Sequence, residues 1–165
     1  MKQIVIIFSA ALFLLSCQNQ SVSKWNTIKL VTGQSAWVHL NLGDSAHGHG
    51  DGTAFEAPLM DTSGVEVGEL LGWLVTVDIL DGDSINPVFD TERIGTMVFN
   101  LGDENEIIAQ GGMTYHKGEK QPKLGLSQKR VIVGGTGKYK GIKGEVTTTR
   151  NEDGSYLHVL DVKQD

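Results

Sequence analysis

The stretch VIVGGTGKYKGIKGEV, residues 131–146, places five glycines directly after a β-branched run. A dinucleotide-binding fingerprint would need a glycine at position 140, where Lys140 stands, and a P-loop would need a Ser or Thr where Tyr139 stands. No apolar repeat at helical spacing follows, so no helix N-terminus is available to hold a phosphate. We therefore predict that Gly134, Gly135 and Gly137 shape a structural turn and do not bind a nucleotide.

The composition is typical of one globular domain rich in turns. The chain has 165 residues, with 21 glycines, 3 prolines and 39% hydrophobic residues. Lys and Arg total 14 against 20 acidic residues, which gives a net charge of −6. This balance lacks the basic footprint of a nucleic-acid-binding protein, and we predict neither a nucleic-acid partner nor a cofactor.

The N-terminus has the pattern of an export signal. Lys2 precedes an apolar run, and LLSC ends at Cys17, the only cysteine of the chain. The segment resembles a bacterial lipobox, which implies cleavage before Cys17, lipidation of that cysteine and anchoring to an envelope membrane. The alternative is an ordinary secretory signal with a spare cysteine. We divide the chain into a signal peptide at 1–16, a polar tether at 17–24 and a folded domain at 25–165.

The folded domain carries strand signals and no helix signals. Short β-branched or alternating segments are bounded by Gly, Asp, Asn or Ser: WNTIKLVT, SAWVHLNL, TAFEAPL, GELLGWLVTVDIL, GTMVFNL, EIIAQGGMTYH, KRVIVGG, GEVTTTR and SYLHVLDVK. The turns DTSG, LGDEN and NEDG favour antiparallel neighbours. The pattern predicts an all-β domain, either a sandwich or a closed antiparallel barrel of about eight strands.

Three segments resemble one group of barrel proteins. Residues 131–146 are similar to the V-V-G-G-T-G-x-F-x-x-A-x-G segment of dirigent proteins and to T-G-G-S-G-x-F-E-G-V-x-G of allene oxide cyclases. FNLGDENEIIAQGGMTY, residues 99–115, resembles the cyclase stretch F-x-F-G-D-x-G-x-I-A-V-Q-G-x-x-x-T-Y, and residues 50–73 resemble its G-D-x-V-P-F-x-N-x-L-Y region. The resemblance implies a single antiparallel β-barrel of eight strands, a lumen that holds a small apolar ligand, and a homotrimer.

The resemblance also implies site residues. VHLNLGD is similar to a cyclase strand that carries a lumen glutamate and an asparagine; Asn41 would keep the asparagine, and His39 would take the place of the glutamate. Ala57 and Leu74 stand where the cyclases have a lumen asparagine and a lumen cysteine. These departures argue against allene oxide cyclase activity itself, while the same positions are expected to line a ligand site.

Trp37, His39 and Asn41 alternate along one strand and therefore share a face. If this face lines the lumen, it forms a polar spot in an apolar cavity, together with apolar residues of 69–77 and 96–99. His39 could then move a proton or orient a ligand hydroxyl, and it is our candidate catalytic residue. The alternative is a solvated outer face.

The segment HGHGD, residues 47–51, has the ligand types of a zinc or facial-triad iron site. Its intervening glycines would orient such ligands poorly, so we favour a rim loop and predict no metal site. His116 and His158 have no partner nearby in the sequence, and we expect both at the surface.

These features together predict a lipid-anchored envelope barrel that binds a small, mainly apolar molecule and can steer its cyclisation or isomerisation by confinement. Two alternatives stay open: a non-catalytic module that uses the barrel exterior to contact partners, and an isomerase with His39 as acid or base. A filled lumen would favour the exterior module, and an open lumen with polar groups would favour the binder or the enzyme.

Overall fold

The computed structural model describes residues 24–42, 49–77, 92–115 and 121–164. Within them the chain forms strands and one short 3-10 turn, Gly137–Tyr139. The strands are β1 Asn26–Thr32, β2 Ala36–Leu40, β3 Gly52–Met60, β4 Glu66–Thr76, β5 Glu92–Asn100, β6 Glu106–Thr114, β7 Ser127–Gly135, β8 Ile142–Arg150 and β9 Tyr156–Gln164. Each lies on one of the segments predicted from the sequence, so the all-β prediction is confirmed.

The strands close into an antiparallel barrel. Their order is β1-β9-β8-β7-β6-β5-β4-β3-β2, and a further pairing of β1 with β3 joins the two sides of the sheet. Strand β2 continues the line of β1 along β3, because Thr32 lies opposite Leu59 and Ala36 lies opposite Glu56. Eight strands therefore form the barrel and β2 is an extra strand, which confirms the predicted fold class.

Side chains alternate between the lumen and the exterior, as the period of a strand requires. On β9, for example, Tyr156, His158 and Leu160 are buried, whereas the intervening Leu157 and Val159 are partly exposed. Apolar side chains from most strands fill one half of the lumen: Leu30, Leu59, Leu70, Met97, Phe99, Ile107, Ala109, Ile132, Ile142, Val146, Leu160 and Val162. This packed half supplies the core of the domain.

The two ends of the barrel differ in their connections. At one end, which we call the hairpin end, short turns join β3 to β4, β5 to β6 and β7 to β8. The opposite end, which we call the cavity end, contains the start of β5 and β7, the end of β4 and β6, and strand β2. Most of the apolar core lies toward the hairpin end, so space for a ligand is to be sought at the cavity end.

The glycine-rich stretch closes the hairpin end. Thr136 and Lys138, which follow β7, hydrogen-bond to the β5–β6 turn: the Thr136 hydroxyl donates to the Glu104 carbonyl at 2.5 Å, and the Lys138 amide donates to Asn105 Oδ1 at 2.9 Å. Gly137 has a φ of 54°, and a Cβ there would overlap the Asn105 side chain. Gly134 and Gly135 are the last two residues of β7. Residues 134–138 therefore connect the β7–β8 turn to the β5–β6 turn, and we call this contact the clasp.

Cys17, the signal peptide and most of the tether lie outside the described residues, as do His47 and His116. Among the residues that the structure describes, no helix has the length and apolar character needed to cross a membrane. The turn prediction is confirmed at NEDG and DTSG, where Gly154 and Gly64 have φ values of 83° and 84°.

Candidate ligand-binding site

A cavity of about 40 Å³ lies inside the barrel at the cavity end. One part of its wall is apolar and consists of Trp37, Phe55, Leu70, Leu74, Met97 and Met113. The rings of Trp37 and Phe55 lie 4.9 Å apart and are tilted by 33°. The volume is enough for a few water molecules, so a larger ligand would have to displace a wall side chain. Trp37 is only half-buried, and β2 pairs only with β3 among the described strands.

His158 projects into the same cavity from β9. It is 1% exposed, its Nε2 lies 3.2 Å from the Thr32 hydroxyl, and its Nδ1 lies 3.0 Å from the Thr148 hydroxyl. A neutral imidazole donates at one nitrogen and accepts at the other, and two threonine hydroxyls can satisfy both roles. Burial, followed by the charge of Arg130, lowers the pKa of His158 to about 3. The ring is therefore neutral at neutral pH.

Two arginines are buried at the same end of the barrel. Arg130 is 4% exposed and lines the cavity; its Nη2 donates to Gln128 Oε1 at 3.2 Å, and its Nη1 donates to the Thr148 hydroxyl at 3.4 Å. Arg93 is 2% exposed, and its guanidinium carbon lies 4.2 Å from the centre of the Tyr115 ring, the geometry of a cation–π contact. All of these partners are neutral groups.

The two cavity tyrosines are protonated at neutral pH. Burial raises the pKa of Tyr115, and the charges of Arg93 and Arg130 partly oppose this rise. Burial likewise raises the pKa of Tyr156 to about 12, against the opposing charge of Arg150. The Tyr156 hydroxyl is buried with no hydrogen-bond partner. It is thus a free polar group on the cavity wall.

The structure separates the predicted site residues. Trp37 and Leu74 line the lumen cavity, whereas His39 and Asn41 line a second cavity of about 110 Å³ that also contains Asp51. His39 is exposed, and its Nδ1 lies 3.0 Å from the Thr53 hydroxyl. The expectation that all three side chains of this strand reach one cavity is wrong. The physical reason is that β2 runs past the barrel, so that only its first half covers the lumen.

Ala57 and the described residues of the HGHGD segment, 49–51, also lie outside the wall of the lumen cavity. Ala57 is buried on β3 and borders a separate groove on the surface. His49 is exposed, and Asp51 is buried, with its Oδ1 accepting a hydrogen bond from the Leu42 amide at 2.8 Å. Within 24–42, 49–77, 92–115 and 121–164, no group of three His, Cys, Asp or Glu residues could hold a metal ion.

The sequence analysis missed the polar half of the lumen. The expectation that His158 lies at the surface is wrong, because it shares the inward face of β9 with Tyr156 and Leu160. Arg130 likewise alternates with the buried Gln128 and Ile132 on β7. The alternation of these strands is visible in the sequence and could have placed both residues inside. For Arg130, the charge of the side chain points the other way, because unpaired arginines are seldom buried.

Comparison with known proteins gives structural similarity only. No protein-family model matches the chain, and no curated protein matches it in sequence. A pyocyanin demethylase is 22% identical, covers 84% of this chain and 99% of its own, and has a TM-score of 0.59. The Diels–Alderase AbmU from Streptomyces koyangensis is 15% identical and covers 98% of this chain and 75% of its own, with a TM-score of 0.63. The pterocarpan synthase dirigent protein GePTS1 is 16% identical, with coverages of 88% and 87% and a TM-score of 0.52.

The fold is that of the dirigent-like barrels. This confirms the structural part of the resemblance seen in residues 131–146. The identities are all below 25%, so the similarity carries the architecture and leaves the chemistry to be argued from the site.

Proposed function

We propose that this barrel binds a small, mainly apolar molecule in the cavity at the cavity end and steers its cyclisation or isomerisation by confinement. The observation that carries the proposal is the division of the cavity wall into an apolar part, with Trp37 and Leu74, and a polar part, with His158 and Arg130. Ligand sites commonly combine apolar walls with a few convergent polar groups. The packed half of the lumen has no such groups among its core residues.

Confinement is the mechanism that the wall favours. A site that holds a flexible molecule in one reactive conformation lowers the entropic part of the activation barrier, so the reaction is faster. The aromatic pair Trp37 and Phe55 offers a flat apolar surface for this purpose. That two proteins of this fold are described as a Diels–Alderase and a pterocarpan synthase dirigent protein supports a ring-closing reaction here.

Acid–base catalysis by a histidine is not part of the proposal. His158 has a pKa of about 3, and both of its ring nitrogens contact threonine hydroxyls, so it is poorly suited to exchange protons near neutral pH. His39, predicted from the sequence as the catalytic residue, borders the second cavity. The isomerase hypothesis based on His39 therefore has no support from the lumen geometry.

Trp37 is the side chain that we expect a ligand to displace. Native mass spectrometry of the purified protein should reveal a co-purifying small molecule. Trp37→Ala should change the amount of bound molecule severalfold, because the substitution removes one ring of the Trp37–Phe55 pair. Val38→Ala is the matched control, since Val38 is adjacent and 62% exposed. Equal occupancy in both variants would contradict a ligand site at Trp37.

An exterior interaction module is the second candidate, and the outer surface gives it a specific observation. Trp73, Thr96, Gln110 and Val131 lie side by side across four adjacent strands. Trp73 is 41% exposed and Val131 is 56% exposed, so an exposed apolar side chain lies at each end of this row. Sedimentation analysis of Trp73→Glu tests this candidate: an oligomer lost on substitution would support it, and an unchanged mass would count against it. The predicted homotrimer is one such assembly.

We also propose that the mature chain begins at a lipidated Cys17 and is anchored to the bacterial envelope. The support is the LLSC motif after a short apolar run. Intact-mass analysis of membrane-extracted protein should show a chain that starts at Cys17 and carries acyl groups, and Cys17→Ala should block processing. An uncleaved or unmodified wild-type chain would refute the anchor without affecting the barrel site.

A further inference from the structure

The buried arginines lack a counter-charge. Among the described residues, no carboxylate forms an ion pair with Arg93 or Arg130. Nε and Nη1 of Arg93 and Nε of Arg130 are buried with no hydrogen-bond partner. Arg150, near the same end, also has a buried and unpartnered Nε, while its Nη1 donates to the Pro122 carbonyl at 3.2 Å. Three guanidinium groups thus have unused donors around one end of the lumen.

Buried guanidinium groups without a counter-charge are unfavourable. Removing a guanidinium from water is costly unless an anion and hydrogen-bond acceptors replace the water. Gln128, Thr148 and the Tyr115 ring provide neutral partners only, and they leave donors unused. The side chains that fill the rest of the lumen are apolar. The donors therefore point to a group that is not supplied by the described part of the chain.

The other titratable groups that the structure describes in this region do not supply this charge. His158 and Tyr115 are neutral at neutral pH. Among the described residues, Asp51 is the buried carboxylate toward this end of the barrel, but it borders the second cavity, and its Oδ1 accepts a hydrogen bond from the Leu42 amide. The described side chains of the lumen thus carry an excess of positive charge next to an apolar wall.

We propose that the lumen cavity binds an organic anion, whose carboxylate or similar charged oxygen group contacts Arg130 while its apolar body packs against Trp37, Phe55 and Leu74. Arg93, which contacts the Tyr115 ring of the cavity wall, adds to the positive charge that attracts the anion. This inference rests on the proposed small-molecule function and names the chemical class of its ligand. Arginine suits the role because its planar donors match a carboxylate in pairs. The apolar wall favours an anion with an apolar body over a simple inorganic ion.

The test uses pairs of probes that differ in charge but hardly in shape. Propionate and benzoate are titrated into the protein at neutral pH, with propionamide and benzamide as their neutral counterparts. Binding is followed by NMR, including the Nε–H signal of Arg130. We expect each carboxylate to bind about tenfold or more tightly than its amide, because hydrogen bonds to charged groups are the stronger class.

Variants assign the preference to the arginines. Arg130→Gln should abolish the preference for carboxylates, and Arg130→Lys should retain part of it. Lys129→Gln is the matched control. Lys129 precedes Arg130 on β7 and is exposed, and its substitution removes the same charge. Arg93→Gln gives an independent test if Arg130→Gln does not fold. A preference that survives both glutamine substitutions would overturn the proposed site.

The outcomes separate this inference from the function on which it rests. Equal binding of carboxylates and amides would overturn the anion site and leave a small-molecule barrel. Absence of binding for all four probes, at concentrations up to their solubility, would overturn both. Tight binding of carboxylates that leaves the Arg130 signal unchanged would overturn the assignment to this cavity.

Discussion

The hairpin end and the cavity end of the barrel are built from the same strands, yet they hold different side chains. Toward the hairpin end, Leu59, Ile107 and Leu160 are fully buried in one apolar cluster. Toward the cavity end, Arg130 and His158 are buried around a void, and Arg93 is buried against the Tyr115 ring. The first arrangement serves folding. The second has features that folding alone does not require, and this difference is the main reason to place function there.

The comparison also explains why a resemblance in sequence can identify a fold without its chemistry. The clasp between residues 134–138 and the 101–105 turn lies at the hairpin end, where glycine is needed for a positive φ and a close approach. These requirements belong to the architecture and are shared by any chain that folds this way. The ligand-facing residues lie at the opposite end, and their identities depend on the ligand.

The largest expected difference between the two ends concerns packing. Leu160→Ala, in the packed half, should lower the free energy of unfolding by about 4 kcal/mol, near the upper part of the range for such substitutions. Leu74→Ala, on the cavity wall, should cost about 2 kcal/mol, because its side chain already borders a void and has fewer contacts to lose. Chemical denaturation measures both values. Equal costs would mean that the cavity end is packed as tightly as the hairpin end.

The second expected difference is a dependence of stability on pH, caused by His158. Its pKa is about 3 in the folded state and 6.5 in the unfolded state. Between these values the unfolded chain binds a proton that the folded chain does not, so stability falls as the pH falls through this window. The slope is about 1.4 kcal/mol per pH unit, which gives a loss of about 2–3 kcal/mol between pH 6.5 and 4.5.

His158→Gln should flatten this slope, because an amide keeps hydrogen-bonding capacity toward Thr32 and Thr148 without titrating. Turn hydrogen bonds lower the pKa values of Asp61 and Asp153 below 3.8, so these carboxylates stay ionised above pH 4.5. Unfolding curves at several pH values provide the measurement. A slope that is the same in wild type and variant would refute a buried neutral His158.

The sequence predicted the fold well because turns and alternation are local signals. Every described strand lies on a segment bounded by Gly, Asp, Asn or Ser, and Trp37 and Leu74 line one cavity together with Met97. The site was harder to predict because charge and alternation conflict at Arg130 and His158. The separation of His39 from Trp37 depends on how far β2 extends past the lumen, which is a property of the closed barrel and of no local pattern.

A smaller effect is expected at the clasp of the hairpin end. Gly137→Val places a β-branched residue at a φ of 54° and forces its Cβ against Asn105, so it should lower the free energy of unfolding by about 1–3 kcal/mol. Gly134→Ala is the control, because a Cβ at that position meets no atom within 4 Å. Thermal unfolding compares the two. Ligand binding should be unchanged in both variants, and a loss of binding in folded Gly137→Val would contradict a purely structural role for this end.

The smallest expected change in stability tests the cavity end most directly, and it has the opposite sign. Arg93→Met removes two buried donors that have no partner, and methionine can occupy the space of the arginine stem. The cation–π contact with Tyr115 is lost, at a cost of about 0.5–1 kcal/mol, but the desolvation penalty of the guanidinium is lost with it. We expect the free energy of unfolding of the ligand-free protein to rise by about 1 kcal/mol, whereas Lys129→Met on the exposed face should change it by about 0.5 kcal/mol or less.

A gain in stability that accompanies a loss of preference for carboxylates would mean that Arg93 is retained for the ligand. A loss of 2 kcal/mol or more, in the range of a broken buried polar network, would mean that the guanidinium supports the barrel itself, and the contrast between the two ends would then lie in packing alone.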